Sequence, residues 1–383
     1  MLKLKTIGLI HTRFSQTGGV ENYINKLVPS LLERNWRIHY FTAKIEQPVP
    51  SGMTVHKIPV IRGASITRML SFAYGAQRAA KKLNLPLLLG FGRTIYQDIY
   101  RDGSGCFLDY QRYANKRFNP LYKKSYLHLE RKRFKDPRLQ KVITVSHMVK
   151  EQIVKHYRLP PDKIEVVYSG VDHNILNPAL KEEKKRFKKE LGLPQNALVL
   201  LFMGNGFDRK GLQYLIQTFG LLPLYLSIIL LVVGKDKHEE RYYHLAKIHK
   251  CSHRIYFLGY RKDVGRLYAT ADLFVLPSMF DPIANVVLES LYSGTPVITG
   301  SQVGAAELID HGNNGFVVPD YRPETLAEAI LKFYYSEKKE IMGQKAHAAA
   351  APYRWNLHIE HLEEILLQVR EQKSTHLNSK KYQ

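Results

Sequence analysis

The chain has 383 residues, 45% of them hydrophobic, with 57 basic against 34 acidic side chains and a formal net charge of +23. That hydrophobic fraction is ordinary for a globular protein, and the length suggests two domains of roughly 150–200 residues each rather than one core. Two cysteines, Cys106 and Cys251, are too few for a disulfide framework and suit a reducing compartment; the charge favours an anionic partner without choosing among nucleic acid, lipid and phosphorylated substrate.

The first predicted strand, "LKTIGLIH", carries too short an apolar stretch for a secretory signal and runs on into "HTRFS". A glycine loop, "SQTGGV", the amphipathic helix "ENYINKLVPSLLERN" and the strand "RIHYFTA" follow. Such a βαβ opening predicts a parallel sheet with a right-handed crossover. Further strands are expected at "LPLLLGFG" and "KVITVS". Between them, residues 107–135 hold nine Lys/Arg, two acids and seven aromatics. Basic heads beside Tyr and Phe fit an interfacial helix on anionic lipid, with Lys116, Arg117, Lys123, Lys124, Arg131 and Lys132 as the contacts. A solvated basic helix or an RNA-contacting surface are the alternatives.

The segment "IEVVYSGVDHNILNP" joins the two halves, and the run "KEEKKRFKKELG" after it reads as a solvated helix. The alternation then restarts, from "ALVLLFMG" through "KGLQYLIQTFGLL", "SIILLVVG", "ERYYHLAKIHK", "RIYFLG", "DVGRLYATA", "DLFVLPS" and "NVVLESLYSG" to "TPVITG". Its strands are short, continuous and β-branched, as expected with both faces covered. Residues 211–234 contain no charge, but Gln213, Gln217 and Thr218 punctuate them and Pro223 divides them, so a helix, a proline turn and a buried strand explain them better than a membrane span. The expected organisation is an N-terminal acceptor-binding domain over 1–168 and a C-terminal nucleotide-sugar domain over 169–352. A helix over 353–371 is expected to cross back to the first domain, ahead of a disordered tail over 372–383. The fold class is α/β: two Rossmann-like doubly wound parallel-sheet domains facing across a cleft, with ligands outside the carboxyl ends of the strands.

Three loops fall at such strand ends: Gly18-Gly19, Gly204 to Lys210, and Ser278 to Asn285. In "MGNGFDRKGLQYLI" a glycine turn carries Arg209 and Lys210 where a strand passes into a helix. Unpartnered N–H groups at a helix start favour an anion, and two cations strengthen that site. The third glycine of a dinucleotide fingerprint is missing and there is no Gly-x4-Gly-Lys-Ser/Thr loop, so neither familiar phosphate motif applies. A solvent-exposed pair capping nothing is the bland alternative.

The blocks "FMGNGFDRKGLQYLI", "LVVGKD", "IYFLGYRKDVGRLYATADLFVLPSMFDPIANVVLESLYSGTPVITG" and "GAAELIDHGNNGFVV" resemble the nucleotide-sugar domain of glycosyltransferase family 4. "TGGVENY" and "SGVDHNILNP" match its N-terminal glycine loop and interdomain connection, so the likeness runs from about residue 5 to 370. Within that family the bacterial lipopolysaccharide-core α-glucosyltransferases look nearest. The resemblance implies a GT-B fold and retaining transfer of a hexose, glucose in that subgroup, from a UDP-sugar to a lipopolysaccharide-type or other lipid-linked acceptor. It implies that Arg209 and Lys210 hold the donor diphosphate, that Gly18, Gly19 and Gly204 approach it closely, and that Ala284, Asn285 and Val286 offer backbone N–H groups to the distal phosphate. Glu289 then binds the ribose hydroxyls, Asp281 stands where the family usually has a sugar-contacting glutamate, and Arg261 lies near the base. The chain contains no Asp-x-Asp, so charge neutralisation is expected from side chains and helix N-termini, without a metal.

The acceptor side is thinner. Many relatives carry a catalytic histidine in the first domain, in some of them closing a Tyr-Arg-x-Gly-x-Gly-x-His stretch, whereas "YRDGSGCF" puts Phe107 at that place, leaving Asp102, Ser104 or Glu21 as candidates. His244, His249, Cys251 and His253 match no tetrahedral zinc pattern and read as loop residues. The expected partners are a UDP-sugar, a lipid-linked saccharide and an anionic membrane surface on the cytoplasmic face of the inner membrane, with no nucleic acid. A sugar-nucleotide epimerase, a glycogen-type synthase or a noncatalytic basic RNA- or membrane-binding protein are the competing readings.

Overall fold

The computed structural model describes residues 5–16, 18–113 and 118–379, with side chains to residue 375. The chain divides into two compact units, one built from residues up to Tyr168 (apart from 113–115) together with the chain from His358 onward, the other from Ser169–Leu357.

The first unit follows the order β1 (Lys5–Ile10), β2 (Arg13–Phe14), α1 (Gly19–Glu33), β3 (Trp36–Thr42), β4 (Lys44–Ile45), β5 (Met53–Lys57), α2 (Ser65–Leu83), β6 (Leu88–Phe91) and β7 (Ile99–Asp102). It continues through α3 (Phe107–Tyr113), α4 (Pro120–Phe134), β8 (Lys141–Thr144), α5 (His147–Tyr157) and β9 (Ile164–Val166). Seven strands form one parallel sheet in the order β5-β3-β1-β6-β7-β8-β9. The order reverses between β1 and β6, which opens the crevice of a doubly wound sheet at their carboxyl ends. Sequence patterning misses β5, β7 and β9. In β7 the reason is visible: Arg101 and Asp102 are buried strand residues that carry no apolar signal.

The second unit contains α6 (Lys184–Glu190), β10 (Leu198–Met203), α7 (Phe207–Lys210), α8 (Leu212–Leu221), β11 (Ile228–Val233), α9 (Glu239–Ile248), β12 (Ile255–Gly259) and α10 (Val264–Thr270). It goes on with β13 (Leu273–Leu276), α11 (Asn285–Tyr292), β14 (Val297–Gly300), β15 (Gly315–Val318), α12 (Pro323–Tyr335) and α13 (Lys339–Ala350). Its six-stranded parallel sheet has the order β12-β11-β10-β13-β14-β15, with the switch between β10 and β13. All six residues of β11 are buried, as helices on both faces require. The uncharged stretch 211–234 is thus α8, a proline turn and β11, and among the described residues no helix is long and apolar enough to cross a membrane.

Two expectations are corrected. The helix expected from Lys210 onward is broken at Gly211, whose φ of +80° favours glycine and whose added Cβ would lie 1.9 Å from the Pro277 carbonyl oxygen. The tail expected to be disordered from 372 is helical to Ser379, as the end of α14 (Trp355–Ser379). Within the first unit, Glu363 of that helix accepts from Trp36 Nε1 (2.7 Å) and Lys5 Nζ (2.9 Å), and Lys373 pairs with the fully buried Asp98 (3.1 Å). His358 donates from Nδ1 to the Tyr168 carbonyl (2.7 Å), so its Nε2 accepts from Tyr23 Oη (2.8 Å). Polar partners far away in the chain thus hold this helix at His358, Glu363 and Lys373.

Candidate active site

In the second unit the carboxyl ends of β10 and β13 flank the switch point. After β10 the chain turns at Gly204 and Gly206, both at positive φ, into the single turn of α7. Lys210 packs its methylenes under Gly204, where an added Cβ would come within 3.3 Å of them. After β13 the loop reaches Asp281, and there the two segments meet. Asp281 Oδ2 accepts from Lys210 Nζ at 2.5 Å and from Arg209 Nη1 at 3.0 Å. Its Oδ1 accepts from the backbone N–H of Ala284 (2.7 Å) and Ile283 (3.3 Å).

One buried carboxylate therefore takes four donors. Burial pushes the Asp281 carboxyl up, but the charges and hydrogen bonds of Lys210 and Arg209 more than offset it and hold the group well below the usual carboxylate range. Lys210 is enclosed, whereas the Arg209 side chain keeps 39% of its surface exposed. Arg209 is thus the member of the pair that can meet a ligand from solvent. Ala284 caps α11 in the left-handed region (φ 54°), which costs a non-glycine residue energy and turns its N–H onto Asp281.

These contacts revise three expectations. The N–H of Ala284 is already taken by Asp281, leaving Asn285 and Val286 as the offered amides of that helix start. The N–H of Phe207, which opens α7, is taken by Asp236 Oδ2 (2.7 Å), and Gly206 N–H bonds the Lys235 carbonyl (3.1 Å). Two amides of the turn after β10 are therefore already engaged, and the turn contributes the cations Arg209 and Lys210. Asp281, one methylene shorter than glutamate, turns inward to the cations and amides instead of outward.

Glu289 lies on α11, half-buried, and accepts from Tyr268 Oη of α10 at 3.0 Å. Burial first, and then the Glu289 charge, raise the Tyr268 hydroxyl well above its ordinary value, so it stays a donor that orients the carboxylate. Arg261 follows β12 and grips Asp263 with two hydrogen bonds of 2.8 and 2.6 Å, one to each carboxylate oxygen.

In the first unit Gly18 has a φ of +123°, and an added Cβ would lie 2.1 Å from Glu21 Oε2; Gly19 has open space above it. Glu21 is buried in the first turn of α1, 3.1 Å from Arg13 Nη2 and 3.4 Å from His11 Nε2. Burial raises the Glu21 carboxyl, and His11 followed by Arg13 outweigh it, leaving it lowered. Asp102 ends β7 fully enclosed, and its Oδ1 accepts from the N–H groups of Ser104 (3.0 Å) and Gly105 (2.9 Å). Asp102 thus shapes the loop, while Ser104 is exposed on it. Phe107, in the place of the relatives' histidine, is buried and stacks on Tyr126 with ring centroids 4.4 Å apart.

The basic stretch forms α3 and α4. Lys124, Arg131 and the 67%-exposed Leu121 face solvent, Lys123 and Lys132 are half-buried, and Lys132 Nζ sits 4.4 Å over the Tyr74 ring. Lys116 and Arg117 lie outside the described residues. Arg133, on the inner face, donates to the carbonyls of Thr94 (2.7 Å) and Gly92 (2.5 Å). The glycine turn singled out Arg209 and Lys210 and the family resemblance Asp281 and Glu289, but Tyr268, Asp236 and His11 gave no signal because their partners come from other elements. Cys251 is buried, with Sγ 3.5 Å from the Ala246 carbonyl, and among the described residues no group of three His, Cys, Asp or Glu side chains could hold a metal ion.

Each unit is a doubly wound parallel α/β sheet, and the second carries a cation and carboxylate cluster at its switch point, where such folds bind ligands. The family model described as Glycosyltransferase Family 4 matches residues 17–175, and that described as Glycosyl transferases group 1 matches residues 183–349. The chain belongs to the family 4 glycosyltransferases and has the GT-B fold. It is 32% identical to an uncharacterised glycosyltransferase of Methanocaldococcus jannaschii over 49% of each chain, so the match spans about half that relative's length. It is 23% identical to the lipopolysaccharide glucosyltransferase WaaG of Escherichia coli, over 82% of this chain and 86% of that one. The crystal structure of WaaG superposes with a TM-score of 0.82 at 22% identity, covering 94% of this chain and 99% of that one. HepE of Anabaena, solved in complex with UDP and glucose, gives a TM-score of 0.73 at 18% identity, covering 95% and 100%.

Proposed function

We propose that this protein is a retaining transferase that moves a hexose, glucose foremost, from a UDP-sugar to a lipopolysaccharide-core or other lipid-linked saccharide. The observation that carries the reading is the cluster at the β10/β13 switch point, where Arg209 stands partly open beside Lys210 and Asp281, with Glu289 on the adjoining helix. WaaG, described as a lipopolysaccharide glucosyltransferase, and HepE, solved with UDP and glucose, support the choice of donor and acceptor class.

In this reading Arg209 and the N–H groups of Asn285 and Val286 meet the donor's diphosphate, with Gly204 leaving room for it. Lys210 supports the field from beneath, and Asp281 positions both cations. Glu289, oriented by Tyr268, accepts from the ribose hydroxyls, because one carboxylate can take two donors from a vicinal diol. Arg261 lies toward the base. As the glycosidic bond breaks, negative charge builds on the leaving diphosphate, and fixed cations stabilise it without reorganising. In this reading Gly18 and Gly19 serve the donor, and Glu21, Asp102 and Ser104 serve the acceptor. The fixed cations and the absence of any Asp-x-Asp support metal-independent transfer. The exposed cations and Leu121 of α4 support docking on the anionic cytoplasmic face of the inner membrane.

The test is transfer of labelled glucose from UDP-glucose to a lipopolysaccharide-core acceptor in the presence of a chelator. Chelator-insensitive product with the anomeric configuration of the donor is expected. Release of label as an epimerised sugar nucleotide without acceptor, or no turnover with any UDP-hexose, would overturn the reading.

A further inference from the structure

In a parallel α/β unit the helices return against the strands, so the last turns of α8 and α9 lie at the amino-terminal edge of the sheet, away from the Arg209 cluster. That edge of the second unit carries large apolar side chains in the open. Leu224 is 74% exposed and Tyr225 81%, while Leu221, Ile248 and Tyr335 are each more than half exposed. They adjoin one another. Leu221 ends α8 and leads into the 222–226 turn, the Tyr225 side chain lies beside Tyr335 at the end of α12, and Gly220 abuts His249 beside Ile248.

The turn is built rather than loose. Leu222 and Leu226 are buried on either side of the exposed pair, and Leu226 N–H closes on the Pro223 carbonyl (3.2 Å). Arg254 Nη2 donates to the Phe219 carbonyl from beneath (2.5 Å). A rigid turn that buries two leucines and presents a leucine and a tyrosine is preorganised for an apolar surface. Lys247 and Lys250 flank Ile248 and Lys338 follows Tyr335, all exposed; Glu337 and Glu340 are the exposed acids beside Lys338 in the chain, and Glu328 is paired with Lys332.

We propose that this edge docks on an anionic lipid bilayer, with Leu224 and Tyr225 entering the boundary between headgroups and acyl chains. Tyrosine suits that depth because its ring is apolar and its hydroxyl polar. The chain's charge of +23 draws it to anionic lipid and opposes pairing with a second copy. This contact is separate from the one proposed for α4 and needs no assignment of donor or acceptor.

Vesicles of phosphatidylcholine mixed with phosphatidylglycerol, and of phosphatidylcholine alone, provide the test on the full chain. In a Leu224→Trp variant, the mixed vesicles should blue-shift the added emission, and the neutral ones should do so far less. A Leu224→Ser/Tyr225→Ser double variant, with unchanged circular dichroism, should partition onto mixed vesicles on the order of tenfold more weakly. An unshifted emission on vesicles that sediment the protein, or unchanged partitioning of the double variant, would overturn the proposal. So would a concentration-dependent dimer that the double variant abolishes, since the edge would then face protein.

Discussion

Asp281 shows how a single carboxylate sets the character of this site. Its two oxygens take two cations and two amides, and the enclosed cation, Lys210, is the partner whose loss leaves the buried carboxylate least compensated. Lys210→Ala should therefore destabilise the protein by about 3 kcal/mol in urea unfolding, within the range for broken buried pairs. Arg209→Ala, whose side chain is more than a third exposed, should cost under about 1 kcal/mol yet weaken UDP-glucose binding at least about tenfold. Equal stability losses in the two variants would contradict this division of roles. The pH dependence follows from the lowered Asp281 carboxyl. Its stabilisation is complete above the unfolded carboxylate value of 3.8 and is lost as pH falls toward the folded one, so Asp281→Asn should flatten the acid limb of a stability profile.

At the scale of elements, α3, α4 and α5 meet over Glu130. Its Oε1 accepts from Phe107 N–H of α3 (3.1 Å) and its Oε2 from Tyr157 Oη of α5 (2.5 Å). Burial raises the Glu130 carboxyl to about 7 from 4.5, against the opposing effects of Arg133 and Tyr157. A raised acid binds its proton more tightly folded than unfolded, so its contribution to stability declines as pH climbs from 4.5 to about 7, by about 3 kcal/mol in all. Glu130→Gln keeps an acceptor for Phe107 and should remove that decline when stability is measured by urea unfolding across the window. A slope unchanged by the substitution would show that another group carries it. These helices also mark what patterning can read. A basic, aromatic insertion is obvious from "KRFNPLYKKSYLHLERKRF", but its docking through Glu130 and Arg133 is not, because buried charged residues look like surface residues in a sequence.

Across the whole molecule, the parallel sheets of both units are legible in short β-branched runs such as "IILLVV", whereas β7 escapes because Arg101 and Asp102 interrupt its apolar signal. Arg209 and Lys210 stand out from the glycine turn that carries them and Glu289 from the family resemblance, but the inward turn of Asp281 and the pairing of Phe207 N–H with Asp236 depend on loops brought together only by the strand order β11-β10-β13. The charge of +23 belongs to this scale too. Retention on phosphatidylglycerol vesicles should fall steeply with salt, since exposed charges more than about 8 Å apart are screened at physiological ionic strength. Replacing Lys123, Lys124, Arg131 and Lys132 by glutamine should lower retention at every salt concentration, and unchanged retention would count against α4 as a docking element. A crystal structure of the chain with intact UDP-glucose is the sharpest check on the proposed anion site at the β10/β13 switch point. The diphosphate is expected within hydrogen-bonding distance of the Arg209 guanidinium and the amides of Asn285 and Val286. A diphosphate bound away from all three would contradict it.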